Sequence, residues 1–280
     1  MDKFIGLFSH DKVDDFSISQ ITSSGCGVTS LLNVLTALKA VKLSDIESID
    51  WSMCILRNRL NDKPLPEYLL SRSIAGCTGQ DLVDSMKLLI NENPTYLANV
   101  VIEGKFWSMQ DIIHSNTTLS QFIQTNLENN CCMVVTLNLQ LFGNDAWHHQ
   151  TIYGMTIKEN TQDQGENEEK EGNNDNNIQI HLLNPICSYS VKVIERLIST
   201  PSVLLIRSED IISRCNRPAA DVSLYDTPLW KPYNVPNQIN AVLAGLEDAP
   251  SHIVIPANYI GGIAVFRRDT TTTTSSTTST

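Results

Sequence analysis

The sequence is short of positive charge. It contains 20 lysine and arginine residues against 31 aspartate and glutamate residues, which gives a formal net charge of -11, and no block of the chain is rich in lysine or arginine. An acidic surface repels phosphate backbones and anionic lipids. We therefore expect neither a nucleic acid nor a membrane among the partners of this protein.

The amino terminus lacks a long apolar run. In "MDKFIGLFSHDKVDD" a short apolar patch is followed at once by acids, which is too little for the core of a signal peptide or for a membrane span. The seven cysteines form an odd, scattered set without CxxC pairs, and this pattern favours reduced thiols over a disulfide framework or a zinc site. These features predict a cytoplasmic protein.

No phosphate-binding loop is present either. The segment "GCGVTS" has the glycines of a tight turn, but no lysine followed by serine or threonine comes after it, so the cradle for a nucleotide is missing. Together with the missing zinc pattern, this predicts a protein that works without a cofactor or a metal.

Two segments have no apolar residues. Residues 158–177, "KENTQDQGENEEKEGNNDNN", contain seven acids and two lysines, and residues 270–280 are all threonine or serine. Such segments cannot bury enough apolar surface to offset the entropy cost of ordering. We expect one domain over residues 1–269, with a disordered acidic insertion at 158–177 and a disordered tail at 270–280.

The rest of the chain has the composition of a folded core, because 41% of the residues are hydrophobic. Helical patterns occur in "LLNVLTALKA", "GQDLVDSMKLLINEN", "TTLSQFIQTNLENN" and "YSVKVIERLIST". Strand patterns occur in "CCMVVTLNL", "HHQTIYGMTI", "NIQIHLLNP", "SHIVIP" and "GGIAVFRR". Since helical patterns come first, we expect an α+β fold with helices followed by an antiparallel sheet, in which the acidic insertion joins two neighbouring strands.

One cysteine stands between two glycines directly before the first helical pattern, in "SQITSSGCGVTS". The start of a helix lowers the pKa of a thiol, because unpaired N–H groups and the helix dipole favour the thiolate. Gly25 and Gly27 would let a substrate backbone approach the sulfur of Cys26. The residues alone leave two interpretations open, a nucleophile and a buried thiol packed beside a turn.

Three further residues are of the types that a thiol nucleophile needs. Gln20 lies shortly before Cys26, and its amide, with the backbone N–H of Cys26, would bind a developing oxyanion. The strand pattern "HHQTIYG" begins with His148 and His149, either of which is a candidate base. Asn184 ends the next strand, and antiparallel pairing would bring it close to the histidines, where it would orient the imidazole.

The order Gln, Cys, His, Asn resembles that of the papain-like cysteine peptidases. The details are most similar to the compact branch with the bacteriocin-leader-processing peptidases and their eukaryotic relatives, which include a protease that matures actin and proteins labelled guanylyl cyclase. The resemblance spans about residues 15–190 and depends on three short motifs: "QITSSGCGVTS" with Gln20, Cys26, Gly27 and Ser30; "HHQTIYG" with His148 six residues before Gly154; and "LLNP" with Asn184 and Pro185.

This resemblance implies a papain-like fold with a buried nucleophile helix packed on an antiparallel sheet. It implies that Cys26 attacks the carbonyl of an amide in a peptide or protein, His148 is the base, Asn184 orients it, and Gln20 binds the oxyanion. His149 remains the alternative candidate for the base. A non-catalytic binding protein of the same fold and an acyltransferase or transglutaminase-like enzyme are the alternatives, and the oligomeric state is not predicted. The label guanylyl cyclase has little support in this sequence. Cyclisation of a triphosphate needs paired acids that bind a metal, and these motifs do not supply them.

Overall fold

The computed structural model describes residues 2–22, 24–144, 146–159, 177–215, 225, 227–245 and 250–269. The acidic insertion and the threonine-rich tail, for which we predicted disorder, lie almost entirely outside these residues. The two ends of the insertion are described, and the backbone N–H of Lys158 donates to the carbonyl of Asn177 at 2.9 Å.

The described residues form helices and strands that alternate along the chain. The helices are α1 Cys26–Ala37, α2 Leu65–Ile74, α3 Gly79–Glu92, α4 Pro94–Leu97, α5 Met109–His114, α6 Leu119–Glu128, α7 Val191–Ile198, α8 Ser208–Cys215 and α9 Val235–Leu243. The strands are β1 Lys3–Gly6, β2 Ile102–Ser108, β3 Cys132–Asn138, β4 Trp147–Ile157, β5 Ile178–Leu183, β6 Cys187–Ser190, β7 Val203–Arg207, β8 His252–Pro256 and β9 Gly262–Arg268.

The main sheet is antiparallel throughout. Its strands lie in the order β2, β9, β3, β4, β5, β6, and β1 pairs with the far end of β4. The expected α+β fold with an antiparallel sheet is therefore confirmed, and so is the antiparallel pairing of the strands on either side of the acidic insertion. The expected order of helices before the sheet is wrong, because β1 precedes α1 and β2 lies between α4 and α5.

Helix α1 packs on one face of the main sheet. Leu31, Val34 and Leu35 are completely buried, and they join a core with the sheet residues Val134 and Tyr153. Apolar residues on more than one face of α1 predicted this burial. The polar residues of the helix, Thr29, Ser30, Asn33 and Thr36, are buried as well. The opposite face of the sheet is covered by a second core that includes residues from α5, α6 and α7.

A third core lies beside the main sheet. It forms around the two-stranded sheet of β7 and β8, with residues from α2, α8 and α9 packed against it. Trp147, the first residue of β4, belongs to this core and donates from its indole Nε1 to the carbonyl of Val203 at 3.1 Å. This contact places the start of β4 at the junction between the main sheet and the smaller one.

Candidate active site

The sulfur of Cys26 lies where α1 begins, against the edge of β4. Cys26 is partly exposed, and main-chain groups of His149, Gly27 and Cys26 itself favour the thiolate form of its side chain. A backbone N–H in a strand points along the plane of the sheet. The Cys26 sulfur therefore lies at the edge of β4, beside the main chain of His149.

Burial raises the pKa of the Cys26 thiol above its ordinary value. Desolvation is the largest cause, and it outweighs the main-chain hydrogen bonds and the positive charge of Arg59, which favour the thiolate. The sequence led us to expect a lowered pKa from the start of the helix. That expectation is wrong for this resting structure, because removing a thiolate from water costs more free energy than its interactions with the local dipoles contribute.

The two glycines beside Cys26 make room for the protein's own side chains. A Cβ on Gly27 would overlap the sulfur of Cys77 and would lie 3.3 Å from Cδ2 of His149. A Cβ on Gly25 would lie 2.5 Å from the hydroxyl oxygen of Thr22. We expected these glycines to admit a substrate backbone, but in the structure they allow close packing around the start of α1.

The imidazole of His148 is held by Asn184. Nε2 of His148 lies 2.7 Å from the backbone carbonyl oxygen of Asn184. A carbonyl only accepts, so Nε2 has to be protonated and Nδ1 is left as the basic nitrogen. Among the described residues Nδ1 has no hydrogen-bond partner. Burial lowers the pKa of His148 below its ordinary value, and the hydrogen bond to Asn184 opposes this shift.

Asn184 meets the imidazole through its main chain and not through its side chain. Its backbone is left-handed, with a φ of 63°, a conformation that asparagine tolerates better than most residues. The side-chain Nδ2 is buried and has no hydrogen-bond partner among the described residues. A buried, unpaired amide group costs free energy, and such groups in native proteins are often found at functional sites.

His149 is enclosed by hydrogen bonds. Nε2 lies 2.8 Å from the carbonyl oxygen of Cys77, and Nδ1 lies 3.1 Å from the hydroxyl oxygen of Thr136. Only 1% of the residue is exposed, and burial lowers its pKa to about 4. Both ring nitrogens are therefore occupied, whereas His148 keeps a free nitrogen.

The two histidines point to opposite faces of β4, as neighbours in a strand do. His149 lies on the face that α1 covers, together with Thr151, whose hydroxyl donates to the carbonyl of Ser30 at 3.2 Å. His148 lies on the other face with Gln150, whose Nε2 donates to the carbonyl of Pro185 at 3.2 Å. The Cys26 thiol interacts with the main chain of His149.

The side chain of Gln20 is exposed and hydrogen-bonds within its own loop. Its side-chain Nε2 donates to the carbonyl of Thr22 at 2.6 Å. To donate to an oxyanion, the amide would have to leave this carbonyl. The structure thus brings Cys26, His148 and Asn184 to one end of the main sheet, while the oxyanion role of Gln20 stays a prediction.

Two residues near Cys26 were not singled out as site residues by the sequence. Cys77 fills the space over Gly27, and Tyr259 donates from its hydroxyl to the carbonyl of Ala75. The Tyr259 ring stacks on Trp147, with centroids 5.6 Å apart. Both come from segments far from the three motifs, and no local pattern marks them.

The described residues contain no group of three or more His, Cys, Asp or Glu side chains that could bind a metal. They also contain no helix with the length and hydrophobicity that crossing a bilayer requires. No protein-family model matches this chain, and no curated protein matches it.

Proposed function

We propose that the protein is a thiol hydrolase of the papain-like cysteine peptidase type, which cleaves an amide bond in a peptide or protein through an acyl-enzyme on Cys26. One observation carries the proposal. A main-chain group of His149 interacts with the Cys26 thiol, and Nε2 of the adjacent His148 lies 2.7 Å from the carbonyl oxygen of Asn184. These contacts between segments far apart in the chain support the proposal.

The first half of the reaction forms a thioester. Cys26 transfers its proton to Nδ1 of His148 as the sulfur attacks the substrate carbonyl. The first N–H groups of α1 have no acceptor within the helix and lie beside the sulfur, so they are candidates to bind the oxyanion. When the intermediate collapses, the C–N bond breaks and the protonated imidazole returns its proton to the leaving amine.

Water completes the reaction. His148 takes a proton from water, the hydroxide attacks the thioester, and the carboxylic acid leaves as Cys26 regains its proton. Asn184 accepts from Nε2–H throughout, which keeps the imidazole in the tautomer with a basic Nδ1. Gln20 joins this mechanism as an oxyanion donor only if its amide turns away from Thr22.

The charge state of the resting site supports general-base catalysis over a preformed ion pair. Burial raises the pKa of Cys26 and lowers that of His148, so both groups are neutral near pH 7. A neutral pair still reacts when the proton moves together with the attack of the sulfur. All seven cysteines are free thiols, which supports a reducing compartment such as the cytoplasm.

Trapping with a thiol-reactive acyl probe tests the proposal. We expect the wild type to form a covalent adduct that mass spectrometry assigns to Cys26, and the Cys26→Ala variant to form none there. Cys215→Ala is a matched control, because Cys215 is also a partly exposed thiol at a helix end. The proposal fails if the wild type leaves Cys26 unmodified or if Cys26→Ala hydrolyses the probe as fast as the wild type.

A binding protein with the same fold is the second candidate. The raised pKa of Cys26 favours it, because a thiol that stays neutral is a poor nucleophile. For a binding protein we expect peptide binding without turnover and no change in affinity when Cys26 is replaced by alanine. Turnover that depends on Cys26 would exclude this candidate.

A further inference from the structure

His149 contacts three other segments of the candidate site. Its ring meets the carbonyl of Cys77 and the hydroxyl of Thr136, its own carbonyl accepts from the hydroxyl of Ser30 at 3.1 Å, and its main chain favours the thiolate form of Cys26. These partners belong to the segment before α3, to β3 and to α1. A single residue of β4 therefore links these three segments.

The hydrogen bonds of the ring define its chemical state. The carbonyl of Cys77 can only accept, so Nε2 of His149 has to carry the proton. Nδ1 then has a lone pair and accepts from the Thr136 hydroxyl. A neutral imidazole with both nitrogens engaged cannot take a proton from Cys26 unless one of these bonds breaks.

The hydrogen bond from His149 to the carbonyl of Cys77 holds the segment of Cys77 over the start of α1. The Cys77 side chain occupies the space that a Cβ on Gly27 would need, and Cδ2 of His149 lies beside the same point. The position of Cys77 thus determines how closely its segment lies over residues 26 and 27. Without Nε2–H, the Cys77 carbonyl would lose its buried donor, and leaving such a group unpaired is costly.

We propose that His149 is a positioning residue and not the base: its neutral imidazole fixes Cys77 over Gly27 and so keeps the sulfur of Cys26 at the edge of β4 beside His148. The inference rests on the proposed function only for its catalytic readout. Its structural part concerns Cys77 and is measured without any substrate.

Three substitutions separate the two ring contacts. His149→Gln keeps an N–H donor near the position of Nε2, His149→Asn keeps an acceptor near the position of Nδ1, and His149→Phe keeps the volume without either. We measure alkylation of the native full-length chain by iodoacetamide at pH 8, thiol by thiol, with mass spectrometry. We expect Cys77 to react at least about tenfold faster in His149→Asn and His149→Phe than in the wild type, and within about threefold in His149→Gln.

Cys132 is the internal control for general unfolding. It is fully buried in β3, away from the ring of His149, so its alkylation rate should stay the same in all three variants. Equal acceleration of Cys132 and Cys77 would mean a loss of stability without a positioning role, and it would overturn the inference. So would a Cys77 rate that does not differ between His149→Gln and His149→Phe.

Acylation of Cys26 by p-nitrophenyl acetate gives the catalytic readout. We expect His149→Phe to lower kcat by more than about tenfold with little change in KM, and His149→Gln to recover most of that loss. If His149→Gln instead removes activity as completely as His148→Gln, His149 is the base and the inference is wrong. If the wild type does not acylate Cys26 at all, the proposed function fails, while the alkylation of Cys77 still decides the structural part.

Discussion

Nε2 of His148 lies 2.7 Å from the main-chain carbonyl oxygen of Asn184. This contact joins the start of β4 to the turn after β5, and it makes Nδ1 the basic nitrogen of the imidazole. The acceptor is a main-chain atom, which every residue at position 184 would supply. What the asparagine contributes is its tolerance of the left-handed backbone that aims the carbonyl at His148.

Substitutions at position 184 test whether the main-chain carbonyl orients His148 and whether the asparagine is needed only for its left-handed backbone. We expect Asn184→Ala to lower the free energy of unfolding by about 1 kcal/mol, because alanine is strained in the left-handed region. Asn184→Gly should lower it less, since glycine adopts a positive φ without strain. Both should lose less than about tenfold in activity, whereas His148→Gln should lose about 10²-fold or more as a general base would.

Urea unfolding and acylation rates measure the two effects separately. A loss of activity in Asn184→Gly as large as that in His148→Gln would contradict the main-chain contact. It would mean that the side-chain amide of Asn184 is the group that orients the imidazole.

The reactivity of Cys26 should show a raised pKa. Because desolvation keeps the thiol neutral, we expect the rate of alkylation of Cys26 by iodoacetamide to rise continuously from pH 6 to beyond pH 9. His148→Gln should change this profile little, since no ion pair exists at rest. A plateau of reactivity below about pH 7 would instead indicate a thiolate stabilised by an imidazolium, as in strongly activated cysteines.

Protonation of His149 should make the folded state less stable in acid. Its pKa is about 4 in the folded state and about 6.5 in an unfolded chain. Between these values the unfolded state binds more protons, so the free energy of unfolding falls as the pH falls from about 6.5 to about 4, by up to about 3 kcal/mol in total. Above pH 7 this contribution is constant.

The comparison with His149→Gln isolates this effect. Two charged or titratable neighbours act on His149, since Asp81 raises its pKa and His148 lowers it. His148 and His181 also have lowered pKa values because of burial, so part of the pH dependence should persist in the variant. We expect urea unfolding to have a smaller slope against pH between 4.5 and 6.5 in the variant, and an unchanged slope would contradict the buried neutral state.

We expect a glycine at position 27 to be required for stability, because the Cys77 side chain leaves no room for a Cβ there. A methyl group on Gly27 would overlap the Cys77 sulfur, so we expect Gly27→Ala to destabilise the protein by about 1–3 kcal/mol, as overpacking does. Adding Cys77→Ala should restore part of that loss, because the sulfur is gone. A double-mutant cycle by urea unfolding measures the coupling, which should be at least about 0.5 kcal/mol for residues in contact.

Cys77→Ala alone is the control for this cycle. It should cost less than Gly27→Ala, since removing one buried sulfur atom leaves only a small cavity. Additive effects of the two substitutions would mean that Gly27 is needed for another reason, such as the approach of a substrate to Cys26.

Local patterns allowed nine of the eighteen described α-helices and strands to be predicted. The periodicity of α1, α3 and α6 and the alternation in β3, β4 and β9 depend on residues a few positions apart, which the sequence displays directly. The strands β1, β2, β6 and β7 and the helices α2, α4, α5, α8 and α9 were not predicted, because their pairing and packing partners stabilise them more than their own sequence does.

The sequence by itself determined which chemical groups are present and in what order: a thiol before a buried helix, two histidines at a strand start, and an asparagine where the next strand ends. Only the tertiary structure decided how Cys26, His148 and Asn184 relate to one another and how the thiol is charged. The desolvation of the Cys26 thiol and the packing of Cys77 and Tyr259 near it depend on segments that are distant in the chain. Folding therefore reversed the expected pKa shift of Cys26, assigned the two histidines different partners, and filled the space beside Gly27 with a second thiol.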